Sequence, residues 1–276
     1  MPEYCTSVCG TVLLIAMTIL FNRSITQQPT DPSVLGSGAM FDSIANFYDN
    51  VNTLFTFAQD KQWRDALLEM SLTPPTLGPI RMLDIACGTC EVMAAAASSY
   101  TIEKIVGVDP SRNMLSRCAA KLPPQATIVI SNAEDFATTE KFTVSTIAFG
   151  IRNMKDREKA VCNIWNLLEE GGRLGVLEVS YQPAFSLLQH DSTVLRVLIS
   201  YFIHYVVPII GFVVNGFKNF AEYKHLVDSI ETFPSPADFV TEVLNYKCSG
   251  WRHIKMTERN FGTIKIDVFE KIKLED

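Results

Sequence analysis

Clustered positive charge is the first thing this sequence lacks. Its 24 Lys and Arg stand against 30 Asp and Glu, for a net charge of −6, and no basic run is interleaved with aromatics. That excludes the usual nucleic-acid footprint. Histidine is scarce: His190, His204, His225 and His253 fall in no H-x-x-x-H or H-x-E spacing, so each reads as a packed or surface residue and no metal is expected. The three spaced glycines of a dinucleotide fold are missing, and there is no internal repeat. The seven cysteines (Cys5, Cys9, Cys87, Cys90, Cys118, Cys162, Cys248) form an odd, scattered set in a chain too long to need stapling. This fits a reducing compartment and predicts no disulfide framework. The Cys87-x-x-Cys90 pair has no second Cys/His pair to complete a zinc site, and reads as two small residues beside a glycine turn.

What is present is enough apolar side chain for one core: 47% of 276 residues are hydrophobic and 20% charged. The apolar run Cys9 to Phe21 is short for a membrane span, which needs roughly 17 to 25 residues. It lacks the positive flank of a secretory signal. Residues 27–38, rich in Pro, Gly and Ser, read as a linker. Residues 1–39 are therefore expected to be a targeting or anchoring segment with its linker, and residues 40–276 the working domain.

From Arg81 onward, short β-rich runs (82–86, 105–108, 127–130, 142–149, 174–179) alternate with helical patterns (91–99, 113–121, 158–168), the last stopping at Gly171-Gly172. Such alternation predicts a parallel sheet with helices on both faces. Two further runs, 251–257 and 263–269, predict a terminal antiparallel pair. Between the parallel-strand half and this terminal pair, residues 194–214 are very apolar but interrupted by Arg196, His204 and Pro208. The reading preferred is a pair of buried helices broken near Pro208, inside a helical insertion at about 184–235 on the substrate side.

The segment Met82-Leu83-Asp84-Ile85-Ala86-Cys87-Gly88-Thr89-Cys90-Glu91 runs from strand through tight turn to helix, where open α/β sheets bind ligands. Gly88 lets backbone amides approach a ligand closely. Ile105 to Asp109 ends the next strand in a carboxylate, which can accept hydrogen bonds from both hydroxyls of a ribose; the alternative for Asp109 is a helix cap. Asn132-Ala133-Glu134-Asp135 follows the third strand, where it can meet a nucleobase edge or act simply as a polar loop. Phe149-Gly150-Ile151-Arg152-Asn153 ends the fourth strand and aims Arg152 at a substrate oxygen, unless Arg152 forms a surface ion pair.

Taken in order, these motifs resemble the UbiE/COQ5 family of quinone C-methyltransferases from Met40 to about Phe269. Phe41-Asp42-Ser43-Ile44-Ala45 with Tyr48-Asp49, the pair Trp63-Arg64, Phe149 to Asn153, and Ser229-Ile230 with Phe233-Pro234 carry the resemblance beyond what generic methyltransferases share. It implies a class I S-adenosylmethionine methyltransferase, α/β, with a seven-stranded, mostly parallel Rossmann-like sheet. It implies S-adenosylmethionine as cofactor, contacted by Asp84, Gly88, Thr89, Asp109, Asn132 and Ala133, and Arg152 beside the quinol ring. The activity implied is C-methylation of a polyprenyl benzoquinol in ubiquinone synthesis. The alternatives are a demethylmenaquinone or other lipid-ring methyltransferase, and a cofactor-binding scaffold without turnover. The scaffold is kept open by Cys90, which stands where the family has a second loop glycine. Asp60 likewise stands where the family has a histidine. By the same resemblance the chain is expected at the matrix side of the mitochondrial inner membrane, in peripheral contact with the bilayer, with a quinone-synthesis complex or a second copy as partner.

Overall fold

The structure, a computed structural model, describes residues 37–73, 78–179, 201–215, 220–248 and 250–272. The N-terminal apolar run and most of the 27–38 linker lie outside these residues. Seven strands form one sheet: β1 (Ile80–Ile85), β2 (Ile102–Asp109), β3 (Thr127–Ile130), β4 (Phe142–Ala148), β5 (Leu168–Val179), β6 (Trp251–Arg259) and β7 (Ile264–Lys271). Their order is β3-β2-β1-β4-β5-β7-β6. The first five strands run parallel, and β7 pairs antiparallel with β5 and with β6.

Period-two burial explains why the sheet carries two layers of helix. Leu83, Ile85, Val106 and Val108 face one core with Val161 and Ile164 of α6 (Arg157–Leu167) and Phe239 and Val243 of α9 (Pro236–Asn245). Met82, Ile105 and Val144 face the other, with Leu68 and Leu72 of α3 (Asp60–Leu72) and Met93 and Ala96 of α4 (Glu91–Ser99). Side-chain caps fix several helix starts: Asp156 accepts the Lys159 N–H at 2.9 Å, and Ser235, followed by Pro236, accepts that of Asp238 at 3.2 Å. Gly175 lets α3 press onto β5, because a Cβ there would meet Ser71 Oγ at 2.1 Å.

Three local expectations are corrected. The helix read over 113–121 is only α5 (Arg112–Leu115), after which the chain turns. The helix expected to stop at Gly171-Gly172 ends at Leu167, and β5 starts at once with an irregular register before Arg173. Of the apolar stretch, residues 194–200 lie outside the described residues. Beyond them no break occurs at Pro208: a π-helical turn (Phe202–Val206) runs directly into α7 (Val207–Val214), and Pro208 sits just after that turn. This segment is not fully buried either, since Tyr201, Tyr205 and Val213 are exposed.

The expectation of no disulfides is also overturned. Cys90 is bonded to Cys118 and Cys162 to Cys248, and Cys87 is a free buried thiol. Linear spacing concealed both pairs, which join positions 28 and 86 residues apart that the sheet brings together.

Candidate functional site

The strand order reverses at β1, with β2 on one side and β4 on the other, and the carboxyl ends of β1 to β4 open into a single cleft. The loop after β1 is tightly wound: Ala86, Gly88 and Cys90 all have positive φ, at 54°, 54° and 66°. For Ala86 and Cys90 this conformation costs roughly 1–3 kcal/mol each and persists only where its surroundings enforce it. Three ties do so: Cys87 N–H to Val108 O at 3.1 Å, Gly88 N–H to Asp109 Oδ2 at 2.9 Å, and the Cys90–Cys118 disulfide. Gly150, at the end of β4, has to be glycine, since a Cβ would meet that of Ala86 at 2.4 Å.

Asp109 ends β2 with one oxygen on Gly88 N–H and the other on Ser111 N–H at 2.8 Å. Burial pushes its carboxyl up to about 6, against the pull of these two amides. Each oxygen keeps a lone pair for a further donor. Gly88, Asp109, Asn132 and Ala133, all named from the sequence, line the cleft together with Tyr48, Glu134, Phe149, Asn153 and His225. Among the described residues, two carboxylates and no Lys or Arg line this cleft. That charge pattern suits a cationic nucleoside and disfavours a pyrophosphate.

Thr89 and Asp84 are placed differently. The Thr89 hydroxyl donates to Asp49 Oδ1 at 2.6 Å and does not line the cleft. Asp84 lies behind the loop. One of its oxygens accepts from Thr146 Oγ1 at 2.6 Å, and the other is buried without a partner among the described residues. Burial pushes this carboxyl up to about 7.

Two N-terminal helices, α1 (Ala39–Ile44) and α2 (Tyr48–Phe55), roof the cleft. Asp42 of α1 accepts from Ser111 Oγ at 2.5 Å and Asn113 N–H at 2.9 Å, while Asp49 of α2 takes Thr89 and Lys121. Met40, Phe41 and Tyr48 thereby become lining residues.

A second cavity, of about 390 Å³, adjoins the first, and Tyr48 and Phe149 line both. Its wall is mostly apolar, with Phe55, Phe57, Trp63, Phe202, Val207 and Ile230, and among the described residues it holds three charged side chains, Asp60, Arg64 and Arg152. Arg152 therefore belongs to this cavity, not to the cleft. Its guanidinium is buried: Nε donates to Ser229 Oγ at 3.1 Å, and Nη1 donates to Glu178 Oε1. The surface ion pair weighed for it is thus replaced by a buried one. Burial raises the Glu178 carboxyl and Arg152 opposes that rise.

Sequence reading missed Tyr48, Asp42, Asp49, Asp60 and Glu178 as site residues. Tyr48-Asp49 and Ser229 did lie in segments that carried the resemblance. Their partners sit 40 to 77 residues away, and no local signal marks such pairings.

This arrangement matches known proteins. The profile of the ubiE/COQ5 methyltransferase family matches residues 33–271. The chain belongs to that family and is a methyltransferase. The Ubiquinone/menaquinone biosynthesis C-methyltransferase UbiE of Syntrophotalea carbinolica is 34% identical over 232 residues, covering 82% of this chain and 90% of that protein. The demethylmenaquinone methyltransferase of Thermus thermophilus is 34% identical over 203 residues, covering 71% and 86%. Among solved structures, the plantazolicin methyltransferase BpumL in complex with SAH superposes with a TM-score of 0.57 at 12% identity, covering 87% of this chain and 95% of that one. This last likeness supports the shared fold.

Proposed function

We propose that this protein methylates a ring carbon of a polyprenyl benzoquinol, with S-adenosylmethionine as methyl donor. The observation that carries the reading is the pair of adjoining cavities. One is an acidic cleft at the strand ends, the other is apolar and basic-centred, and they share the Tyr48 and Phe149 wall.

When bound, S-adenosylmethionine supplies an electrophilic methyl carbon on a cationic sulfonium. Asp109 accepts from the ribose hydroxyls, Asn132 and Ala133 meet the base, and the Asp84 carboxyl lies behind the loop. Gly88 leaves its cleft side open, since a Cβ at that position would meet nothing within 4 Å. Thr89 serves by holding α2 down over the cleft through Asp49. On the acceptor side, the aromatic wall excludes water, while Arg64 and Arg152 stabilise a phenolate, the ring form that makes the adjacent carbon nucleophilic. Arg152 itself does not serve as base, because a guanidinium stays protonated in proteins.

An isoprenoid tail needs an apolar exit. Phe57, 72% exposed, stacks on Phe202 beside the cavity, and Tyr201, Tyr205 and Leu54 are exposed nearby on the same elements. This supports delivery of the substrate from a bilayer surface. No helix among the described residues is long and apolar enough to cross a membrane. The mitochondrial address rests on the family resemblance, and the relatives named above are bacterial.

The test is turnover with a chemically reduced, short-tailed benzoquinol and a naphthoquinol in competition, read by mass spectrometry. A product 14 mass units heavier from the benzoquinol supports the reading. The Thermus thermophilus relative favours one second reading, a naphthoquinol acceptor, and exclusive methylation of the naphthoquinol would install it. Binding of S-adenosylhomocysteine with no product from either quinol would identify a scaffold.

A further inference from the structure

We propose that Asp60 accepts the hydroxyl proton of the acceptor ring while Arg64 holds the oxygen left behind. The proposal rests on the quinol reading of the apolar cavity. Among the described residues, Asp60 is the only carboxylate lining that cavity. The other buried acid close by, Glu178, is tied to Arg152 and to the Val179 N–H, and it lines a separate crevice.

Asp60 opens α3. Its Oδ2 accepts from Arg64 Nη1 at 2.8 Å and its Oδ1 from Thr56 Oγ1 at 3.1 Å, leaving each oxygen a lone pair. An Asp and Arg four residues apart on a helix ordinarily form a solvated pair. The neighbouring Lys61–Asp65 pair is of that kind, with side chains 78% and 44% exposed. Asp60 and Arg64 are 10% and 11% exposed and sit among Phe55, Trp63 and Phe149. A desolvated pair of this sort is costly and needs a purpose beyond stabilising a helix.

The pair is suited to a proton step because the step conserves charge. The quinol O–H bond breaks and its electron pair stays on the oxygen. A new O–H bond forms on Asp60, and the carboxylate–guanidinium pair becomes a phenolate–guanidinium pair beside a neutral acid. The net charge of the cavity does not change, so no new charge is created in a low-dielectric space. Asp60 then releases its proton to water. The ring carbon that gains the new substituent loses its own hydrogen as a proton, which restores the ring hydroxyl, so one proton leaves per turnover. Arg152 is already committed to Glu178 and Ser229, which leaves Arg64 the arginine best placed to exchange partners.

Asp60→Asn, Asp60→Glu and His225→Gln in the full chain test this. His225 is the competing acceptor, because it lines the adjoining cleft and burial holds its pKa below the usual imidazole range. With a reduced short-tailed benzoquinol, D60N is expected to lower kcat by about 10²- to 10⁴-fold, with KM and S-adenosylhomocysteine affinity within threefold of wild type and the acid limb of the pH profile lost. D60E should recover part of that loss. A second readout needs no turnover: bound 4-nitrophenol should titrate at lower pH in D60N than in wild type, since Arg64 then faces the phenolate without a competing carboxylate. Unchanged kcat and unchanged nitrophenol titration in D60N overturn the proposal, as does a loss confined to H225Q. If D60N fails to bind S-adenosylhomocysteine, D60E decides, and wild-type kcat and pH profile in D60E overturn it. Wild-type protein that methylates neither quinol sinks the quinol reading itself, a result distinct from all of these.

Discussion

Gly88 donates its backbone N–H to Asp109 Oδ2 at 2.9 Å, so the carboxylate that faces the cleft also fastens the loop after β1 to the end of β2. One side chain thus holds the shape of the loop and, in the function proposed, accepts from a ligand hydroxyl. Asp109→Ala should remove both. The expected result is a weakening of S-adenosylhomocysteine binding by at least about tenfold, as follows from losing one or two charge-assisted hydrogen bonds at ~1.5–3 kcal/mol each. Calorimetry checks it. Unchanged affinity would leave Asp109 only its structural tie.

The pH dependence follows from the same carboxyl. Its folded-state value of about 6 lies above the ordinary aspartate value, as does that of Asp84 at about 7. The folded protein therefore binds protons more tightly than the unfolded chain here. The stability this contributes is fully present below pH ~4 and is lost as pH rises through the folded values. A ribose hydroxyl needs the ionised carboxylate, so binding runs the other way. S-adenosylhomocysteine affinity should fall as pH drops below about 6, while these two groups make the free protein relatively more stable over the same interval. Asp109→Asn should flatten the affinity trend. Parallel calorimetry and thermal melts between pH 5 and 8 would show opposite slopes, and parallel slopes would refute the assignment.

The sheet was legible because its cause is local. Runs such as 127–130 and 91–99 coincide with the elements formed, since period and punctuation are written in adjacent residues. The strand-end cleft was legible for the same reason: Gly88, Asp109, Asn132 and Ala133 each end or follow a strand and so share one cleft. Arg152, expected at the strand-end crevice, lines the adjoining apolar cavity, and its buried partner Glu178 was invisible, because that pairing depends on β5 lying beside β4. Asp267, buried within β7, is answered across the β6–β7 ladder by His253 at 2.8 Å, a pairing that only the sheet creates. Thr89 shows the converse failure. The loop was identified correctly, yet its hydroxyl points to α2, which no loop motif specifies.

Arg152 and Glu178 are 4% and 5% exposed, so removing either alone leaves a buried charge without its partner. Arg152→Ala should cost about 3–5 kcal/mol of stability, more than a surface arginine would. The double substitution Arg152→Met with Glu178→Met should be less destabilising than the sum of the two single changes. Denaturant titration of the four proteins gives the coupling directly. Additive losses would mean that the two side chains do not act as a pair. Turnover by the double variant should remain low even if it is stable, because the cavity has lost an anion-stabilising donor.

The Cys90–Cys118 bond closes a loop of 28 residues that contains all of α4 and β2 and begins two residues after Gly88, which lines the cleft. Chain-entropy arguments give such a loop about 3–4 kcal/mol of stabilisation. In a chain of this size each kcal/mol moves the melting temperature by roughly 2–4 °C. Cys118→Ser is therefore expected to lower the melting temperature by about 10 °C. Because Cys90 is held at positive φ by this bond, the variant should also bind S-adenosylhomocysteine more weakly. Treatment with a phosphine reductant should reproduce both effects in the wild-type protein and leave Cys118→Ser largely unchanged in binding. The same reductant opens Cys162–Cys248, which lies away from the cleft, so Cys162→Ser is the control: it should melt earlier but bind normally. If reduction changes neither melting nor affinity, the two sulfurs are neighbours without a bond, and the loop owes its shape to Asp109 and the Cys87 amide alone.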